Sequence, residues 1–264
     1  MPYLELPDVK LHYLIDDHTD AWTKPETVLF VHGFCENTEA WRGWVPHFSR
    51  RYRVLRIDQR GFGHTGPVPD GYQLTTGIIV GDIARAIEKL AQGPVHVVGG
   101  KSGGIPVMML AVARPDLVTS ITAICSPVTP PKADWWLDTM DREGMKSWAR
   151  KTMRERMGSS MPDAGIEWWV DMMGATALST AHAYLGWVGK IDIREDIKRI
   201  QCPTLVIGTD TKRRGKAEFE AWQKTIPDSE LAIIPVDGYH AAGTDPDATA
   251  RVTLDFIARH ARRA

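Results

Sequence analysis

Cysteine is scarce in this chain of 264 residues: Cys35, Cys125 and Cys202 are the only three. They lie far apart without CxxC spacing, which suits neither a disulfide framework nor a zinc ribbon, and a reducing compartment is the simpler reading. A surplus of one charge is missing too. The formal net charge is -1 at pH 7, so there is no electrostatic case for binding nucleic acid or an anionic membrane. No run approaches about 18 apolar residues, which argues against a membrane span. The opening MPYLELPDVKLHYLIDD has no basic flank followed by an apolar core, so no secretory signal is visible. Cytoplasm is therefore the expected location. Internal repeats and low-complexity tracts are absent as well, and the length suits one main domain with an insertion.

Strands and helices alternate along most of what is present. TVLFVHG at 27–33 is an apolar β-rich run ending at a glycine, and VKLHYLI at 9–15 alternates as a half-exposed strand does. YRVLRID at 52–58, VHVVG at 95–99, SITAICS at 120–126, TLVIG at 204–208 and LAIIPV at 231–236 read as further strands. Ile79, Ile83, Ile87 and Leu90 share one face of a helix over 75–91, and a second helix runs from about 103 to 114, closed by Pro115. Helices are also expected at 216–226 and 247–261. The alternation implies a mostly parallel sheet covered on both faces. The core is expected to take residues 1–126 and 196–264. Residues 127–195 differ: Trp135, Trp136, Trp148, Trp168, Trp169 and Trp187 lie there with many methionines. Their spacings read as helices, an insertion over one edge of the sheet, with WWLDTMDREGMKSWARKTMRERM as one bent helix or two short ones.

VHVVGGKSGG at 95–104 poses the chemical question, because its GKS is open to two readings. A phosphate loop GxxxxGK[ST] needs glycine at 95, where valine stands, and strand residues leave no loop to wrap a phosphate. The dinucleotide pattern GxGxxG is absent as well. The other reading is G-x-S-x-G over Gly100, Lys101, Ser102, Gly103 and Gly104. A sharp strand-to-helix turn would then hold Ser102 in a strained conformation with its hydroxyl above the sheet. A serine needs a base and the base an orienting acid. His240 follows the last strand in IIPVDGYHAAG and is the expected base; His32, at a strand end, is expected to be structural. Asp210, just beyond the strand at 204–208, is the expected acid, with Asp134 as the alternative and Asp237 too near the base along the chain. The main-chain N–H groups of Phe34 and Lys101 are expected to form the oxyanion hole.

HGF at 32–34, DQRGFGHTG at 58–66, GKSGG at 100–104, GTD at 208–210 and GYH at 238–240 together resemble the α/β-hydrolase family. The match is nearest its small esterases, lactonases and carbon–carbon bond hydrolases, and it covers essentially the full length. The resemblance implies an eight-stranded, mainly parallel sheet with helices on both faces, a helical cap insertion, a Ser-acid-His triad and no cofactor or metal. It also implies that Asp58 and Arg60 pin their loop rather than react. Two departures stand out: many relatives carry histidine, asparagine or glutamine where this chain has Lys101, and their acid often falls one position later than Asp210.

The expected activity is serine hydrolysis of an ester or lactone with an apolar or aromatic body. Carbon–carbon cleavage of a diketone-type acid is the competitor, with Lys101 or the TKRR run pairing a substrate carboxylate. A non-catalytic receptor, a lyase or a cofactor-free oxygenase on the same fold are the remaining alternatives. The substrate roof is expected to draw on Trp135, Trp136, Trp168, Trp169 and Trp187, since large aromatic faces gain much on desolvation. Glu36 is expected near the oxyanion loop. The expected partner is a small molecule, with a homodimer left open.

Overall fold

Eight strands form one sheet in the computed structural model of the chain, which describes residues 1–131, 133 and 135–261. They are β1 (Tyr3–Leu6), β2 (Val9–Asp16), β3 (Thr27–Val31), β4 (Arg53–Ile57), β5 (Val95–Gly100), β6 (Val118–Ile124), β7 (Thr204–Gly208) and β8 (Ser229–Ile233). Their spatial order is β1-β2-β4-β3-β5-β6-β7-β8. β1 with β2 and β2 with β4 are antiparallel; every other pair is parallel. Every residue of β3, β5 and β7 is buried, as expected of parallel strands covered on both faces. β1 escaped the sequence reading because YLEL is only four residues long and mostly exposed at the sheet edge.

Among the described residues ten α-helices accompany the sheet: α1 (Val45–Phe48), α2 (Thr76–Leu90), α3 (Gly104–Ala113), α4 (Trp136–Glu143), α5 (Met145–Met157), α6 (Asp163–Gly174), α7 (Leu178–Val188), α8 (Lys216–Gln223), α9 (Ala241–Thr244) and α10 (Pro246–His260). The Thr75 hydroxyl caps α2 by accepting from Ile78 N–H at 3.2 Å. α2 packs on α3, α3 on β5 and β6, α10 on α1 and β6, and α8 on β7 and β8. Among the described residues, no helix is long and apolar enough to cross a membrane.

Helices α4–α7 form the cap between β6 and β7. Gly144, at φ +86°, separates α4 from α5, so WWLDTMDREGMKSWARKTMRERM is two helices and not one bent one. Trp148, Met153, Met157, Val170 and Met173 are fully buried residues of the cap helices. The cap is fastened to the loop after β4. Thr180 Oγ1 donates to Gly61 O at 3.1 Å and accepts from Val68 N–H at 3.2 Å, and Ser179 Oγ donates to Val68 O at 2.7 Å. Asp58 and Arg60 pin that loop. Asp58 accepts from Thr38 N–H at 2.6 Å and His64 N–H at 2.8 Å, while Arg60 pairs with Asp82 at 2.8 Å and Asp8 at 2.9 Å.

Candidate active site

The turn from β5 into α3 has its apex one residue earlier than the G-x-S-x-G pattern implies. Lys101 carries the left-handed backbone, φ +56°, and Ser102 is absent from the positive-φ residues. A Cβ on Gly99 would lie 2.6 Å from Gly104 Cα, and one on Gly103 would overlap the carbonyl oxygens of His32 and Val31. A Cβ on Gly100 would meet only the Trp41 ring, at 3.3 Å. The closest backbone approaches therefore lie two residues before and two after Lys101. Gly104 is tight as well, against the Ser126 side chain. Strain of this kind concentrates at functional turns.

Ser102 lies in the short 3-10 turn that follows and is buried. Its Oγ accepts from Phe34 N–H at 3.1 Å and from the Tyr184 hydroxyl at 2.9 Å. The expected oxyanion donor Phe34 thus holds the serine hydroxyl itself. Burial pushes the Tyr184 phenol up, so Tyr184 remains the donor.

His240 does not reach Ser102 through any hydrogen bond here. Its Nε2 lies 2.8 Å from Glu36 Oε1, and its Nδ1 accepts from Gly243 N–H at 3.1 Å. With Nδ1 as acceptor, Nε2–H donates to Glu36, and both ring nitrogens are engaged. The ring packs on Trp169 at 4.9 Å, and His240 N–H donates to Arg156 O at 3.0 Å. The acid beside the imidazole is Glu36, in place of Asp210. Asp210 is exposed, and its Oδ1 accepts from Lys216 N–H at 2.9 Å at the start of α8. That is the work of a helix cap. Asp134 lies outside the described residues, and Asp237 accepts from Ser159 N–H.

Glu36 reaches the site because of a local turn. Cys35 adopts φ +60°, Glu36 N–H donates to Gly33 O at 3.3 Å, and Glu36 Oε2 accepts from Gly33 N–H at 2.9 Å. Burial by itself would raise the Glu36 carboxyl. The His240 ring and the Gly33 N–H more than offset that and hold it down to about 2. Cys35 itself is buried and its thiol is pushed up by desolvation, which suits packing and not attack. His32 is structural: Nδ1 meets Gly33 O at 2.8 Å and Nε2 accepts from Gln59 N–H at 3.0 Å.

Above the turn is a cavity of about 620 Å³ roofed by the cap. Phe34, Trp136, Tyr184 and Tyr239 supply its aromatic wall, with Glu36, Lys101 and Ser102 at its base. Arg156, Lys212, Arg213 and Arg214 also line it. Arg214 is committed to structure, donating to Cys125 O at 2.6 Å and Ser126 O at 3.0 Å. Arg156 differs. It is buried against the Trp136 and Trp148 rings, with its guanidinium carbon 5.0 and 5.1 Å from their centroids. Its Nε donates to Thr152 Oγ1 at 3.1 Å, and its Nη2 has no hydrogen-bond partner among the described residues. The Tyr239 hydroxyl is likewise buried and unpartnered. A buried guanidinium in the lining of a cavity is equipped to bind an anion.

Of the tryptophans expected in the roof, only Trp136 lines this cavity. Trp135 is 46% exposed at the start of α4. Trp169 buttresses His240 and stacks edge-on with Trp168 at 5.2 Å. Trp187 Nε1 donates to Thr76 Oγ1 at 3.0 Å, tying α7 to α2 beside a separate hollow. The residues missed were Arg156, Tyr184 and Tyr239. Arg156 and Tyr184 owe their place to a tertiary approach with no local motif to mark it, while Tyr239 lies inside GYH, where attention fell on His240. Among the described residues, no cluster of three or more His, Cys, Asp or Glu could hold a metal ion.

Comparison with known proteins agrees with this architecture. Residues 26–245 match the family described as alpha/beta hydrolase fold. The chain is 28% identical over 255 residues to 2-hydroxy-6-oxo-6-(2'-aminophenyl)hexa-2,4-dienoic acid hydrolase of Metapseudomonas resinovorans, covering 90% of this chain and 86% of that protein. It is 31% identical over 129 residues to Epoxide hydrolase 1 of Caenorhabditis elegans, where the match spans 49% of this chain but only 30% of that protein. The enol-lactonase structure from Burkholderia xenovorans LB400 superposes with a TM-score of 0.87 at 20% identity, covering 97% of this chain and all of that one (100%). The sheet order, the turn after β5, the cap and these matches lead to one conclusion: the chain belongs to the alpha/beta hydrolase fold family of enzymes.

Proposed function

We propose that this protein hydrolyses a carbon–carbon bond beside a ketone in a small diketone-type acid with an apolar or aromatic body. The observation that carries the reading is Arg156: a guanidinium in the cavity lining, buried against aromatic rings, whose Nη2 has no hydrogen-bond partner among the described residues. A charge-assisted bond to a carboxylate there would be worth roughly 2 kcal/mol or more, because the alternative leaves the cation unpaired. Phe34, Trp136 and Tyr239 suit the apolar body. In the reaction, water's hydroxyl joins the acyl carbon and the bond to the neighbouring carbon breaks. The electron pair is held by the second carbonyl, and the proton returns to the departing carbon. The relative of Metapseudomonas resinovorans is named for a hydrolase of an oxo dienoic acid, which agrees in class.

The discriminating experiment compares 2,4-diketone acids with their methyl esters, with p-nitrophenyl esters and with lactones. The diketone acid is expected to exceed its methyl ester at least tenfold in kcat/KM, and Arg156→Met to abolish that preference mainly through KM. Equal turnover of acid and ester would overturn the carboxylate assignment. Ester or lactone hydrolysis by Ser102 is the second reading, favoured by the 3.1 Å contact of its Oγ with Phe34 N–H. A fluorophosphonate adduct on Ser102, with rapid p-nitrophenyl ester turnover, would establish that reading instead. It requires His240 to release Gly243 N–H and turn toward the hydroxyl.

A further inference from the structure

We propose that Lys101, and not Ser102, is the covalent centre of this site: its amine condenses with a substrate ketone to form a Schiff base. The inference rests on the keto-acid reading above and supplies its electron sink.

Three features of the geometry point to the amine. Lys101 occupies the left-handed apex of the turn after β5, with the closest glycine approaches two residues to either side. A side chain at such an apex is presented above the sheet, and Lys101 lines the cavity with Ser102 and Glu36. Its Nζ is fixed, donating to Tyr239 O at 3.0 Å with the Tyr239 ring centroid 3.6 Å away. The guanidinium of Arg156, in the same cavity lining, lies 5.8 Å from the same Tyr239 ring. Both groups thus lie within 6 Å of the centre of one ring, Nζ at 3.6 Å and the guanidinium carbon at 5.8 Å, a span that one small keto acid can bridge.

The surroundings favour the uncharged amine that condensation requires. Enclosure by protein, with the Arg156 and Arg214 charges, pushes the Lys101 ammonium well below its ordinary range, and the opposing Cys125 and Glu36 do not restore it. Desolvation beside another cation is a recognised way to make lysine nucleophilic.

The step balances without any added redox partner. The neutral amine adds to the ketone carbon, and water leaves to give the imine. A second water, losing its proton to His240 Nδ1 once that nitrogen has released Gly243 N–H, adds to the other carbonyl. The carbon–carbon bond breaks, and its electron pair moves into the protonated imine to form an enamine. The enamine carbon takes a proton, and water hydrolyses the imine, returning Lys101 and the ketone product. Net consumption is one water. In this scheme the Ser102 hydroxyl, fixed by Phe34 and Tyr184, has its own hydrogen free to donate to the developing oxyanion.

The test uses two probes on the full chain. Acetylacetone, a neutral 1,3-diketone, is incubated with the folded protein near neutral pH. A single enaminone adduct is expected by intact mass, mapping to Lys101 and missing in Lys101→Met and Lys101→Arg. The second probe, 2,4-dioxopentanoate with cyanoborohydride, is expected to fix one reduced adduct on Lys101 and to compete with acetylacetone. Its binding is measured separately by calorimetry, with a weakening of at least tenfold expected in Arg156→Met. Binding of the acid with Lys101 unlabelled by either probe would overturn the Schiff base while leaving the keto-acid reading intact. Acetylacetone labelling of Lys101 without any binding of the acid would keep the amine and overturn the keto-acid reading. Because the adduct is mapped in the unaltered protein, the outcome does not depend on either variant folding.

Discussion

Glu36 and His240 bring a carboxylate and an imidazole together out of water, 2.8 Å apart. Such a pair contributes through what its loss would leave behind. Because the Glu36 carboxyl is held down to about 2 from 4.5, its contribution is complete above about pH 4.5 and is lost as pH falls through about 2. Glu36→Gln is therefore expected to cost roughly 3 kcal/mol near neutral pH, with the gap to the unaltered protein closing in acid. Denaturant melts of both proteins from pH 7 to pH 2 measure this, and a gap constant across that range would refute it. Ser102 gives a second case at this scale. Ser102→Ala strands two buried donors, Phe34 N–H and Tyr184 O–H, at a cost of roughly 1–3 kcal/mol. The double variant Ser102→Ala/Tyr184→Phe is expected to be less harmful than the sum of its parts, since the second change removes one stranded donor.

The element that positions the chemistry is the turn joining β5 to α3, and its glycines rank in a definite order. Gly99→Ala or Gly103→Ala drives a methyl group into backbone atoms, whereas Gly100→Ala presses only on the flat Trp41 ring. The first two are expected to lose roughly 3 kcal/mol and the third under about 1 kcal/mol. Thermal denaturation would separate them, and the reverse ranking would place the apex at Ser102 after all. The sequence made the strand, the turn and the helix legible, because VHVV is a buried β run and the glycines allow the bend. It left the register of the turn ambiguous. GGKSGG contains two overlapping glycine frames, and only the contacts of β5 with β3 and α3 choose between them. The cap helices were legible from spacing, which left open one bent helix or two over residues 135–157; the left-handed Gly144 decides for two.

Across the whole molecule, cap and core share the site. The core supplies Lys101, Ser102 and Glu36; the cap supplies Arg156, Trp136 and Tyr184. The bonds of Thr180 and Ser179 to the loop after β4, and of Trp187 to Thr76, hold the two together. Thr180→Val removes two of these bonds and is expected to cost roughly 1–2 kcal/mol. It should also speed hydrogen exchange in α7 relative to β5 and raise KM more than it lowers kcat. Uniform exchange across both elements would show that these bonds do not govern cap closure.

By itself the sequence determined the parallel sheet, the turn after its fifth strand and the helical insertion, because periodicity and glycine placement are local properties that neighbouring residues enforce. It also brought His240 and Glu36 forward as candidates. Only the tertiary structure decided that these two face one another, that Asp210 caps a helix, that Lys101 holds the apex and that Arg156 lies buried in the cavity lining. Those outcomes depend on approaches between segments up to 204 positions apart. Packing and desolvation settle such approaches once the chain has closed around them.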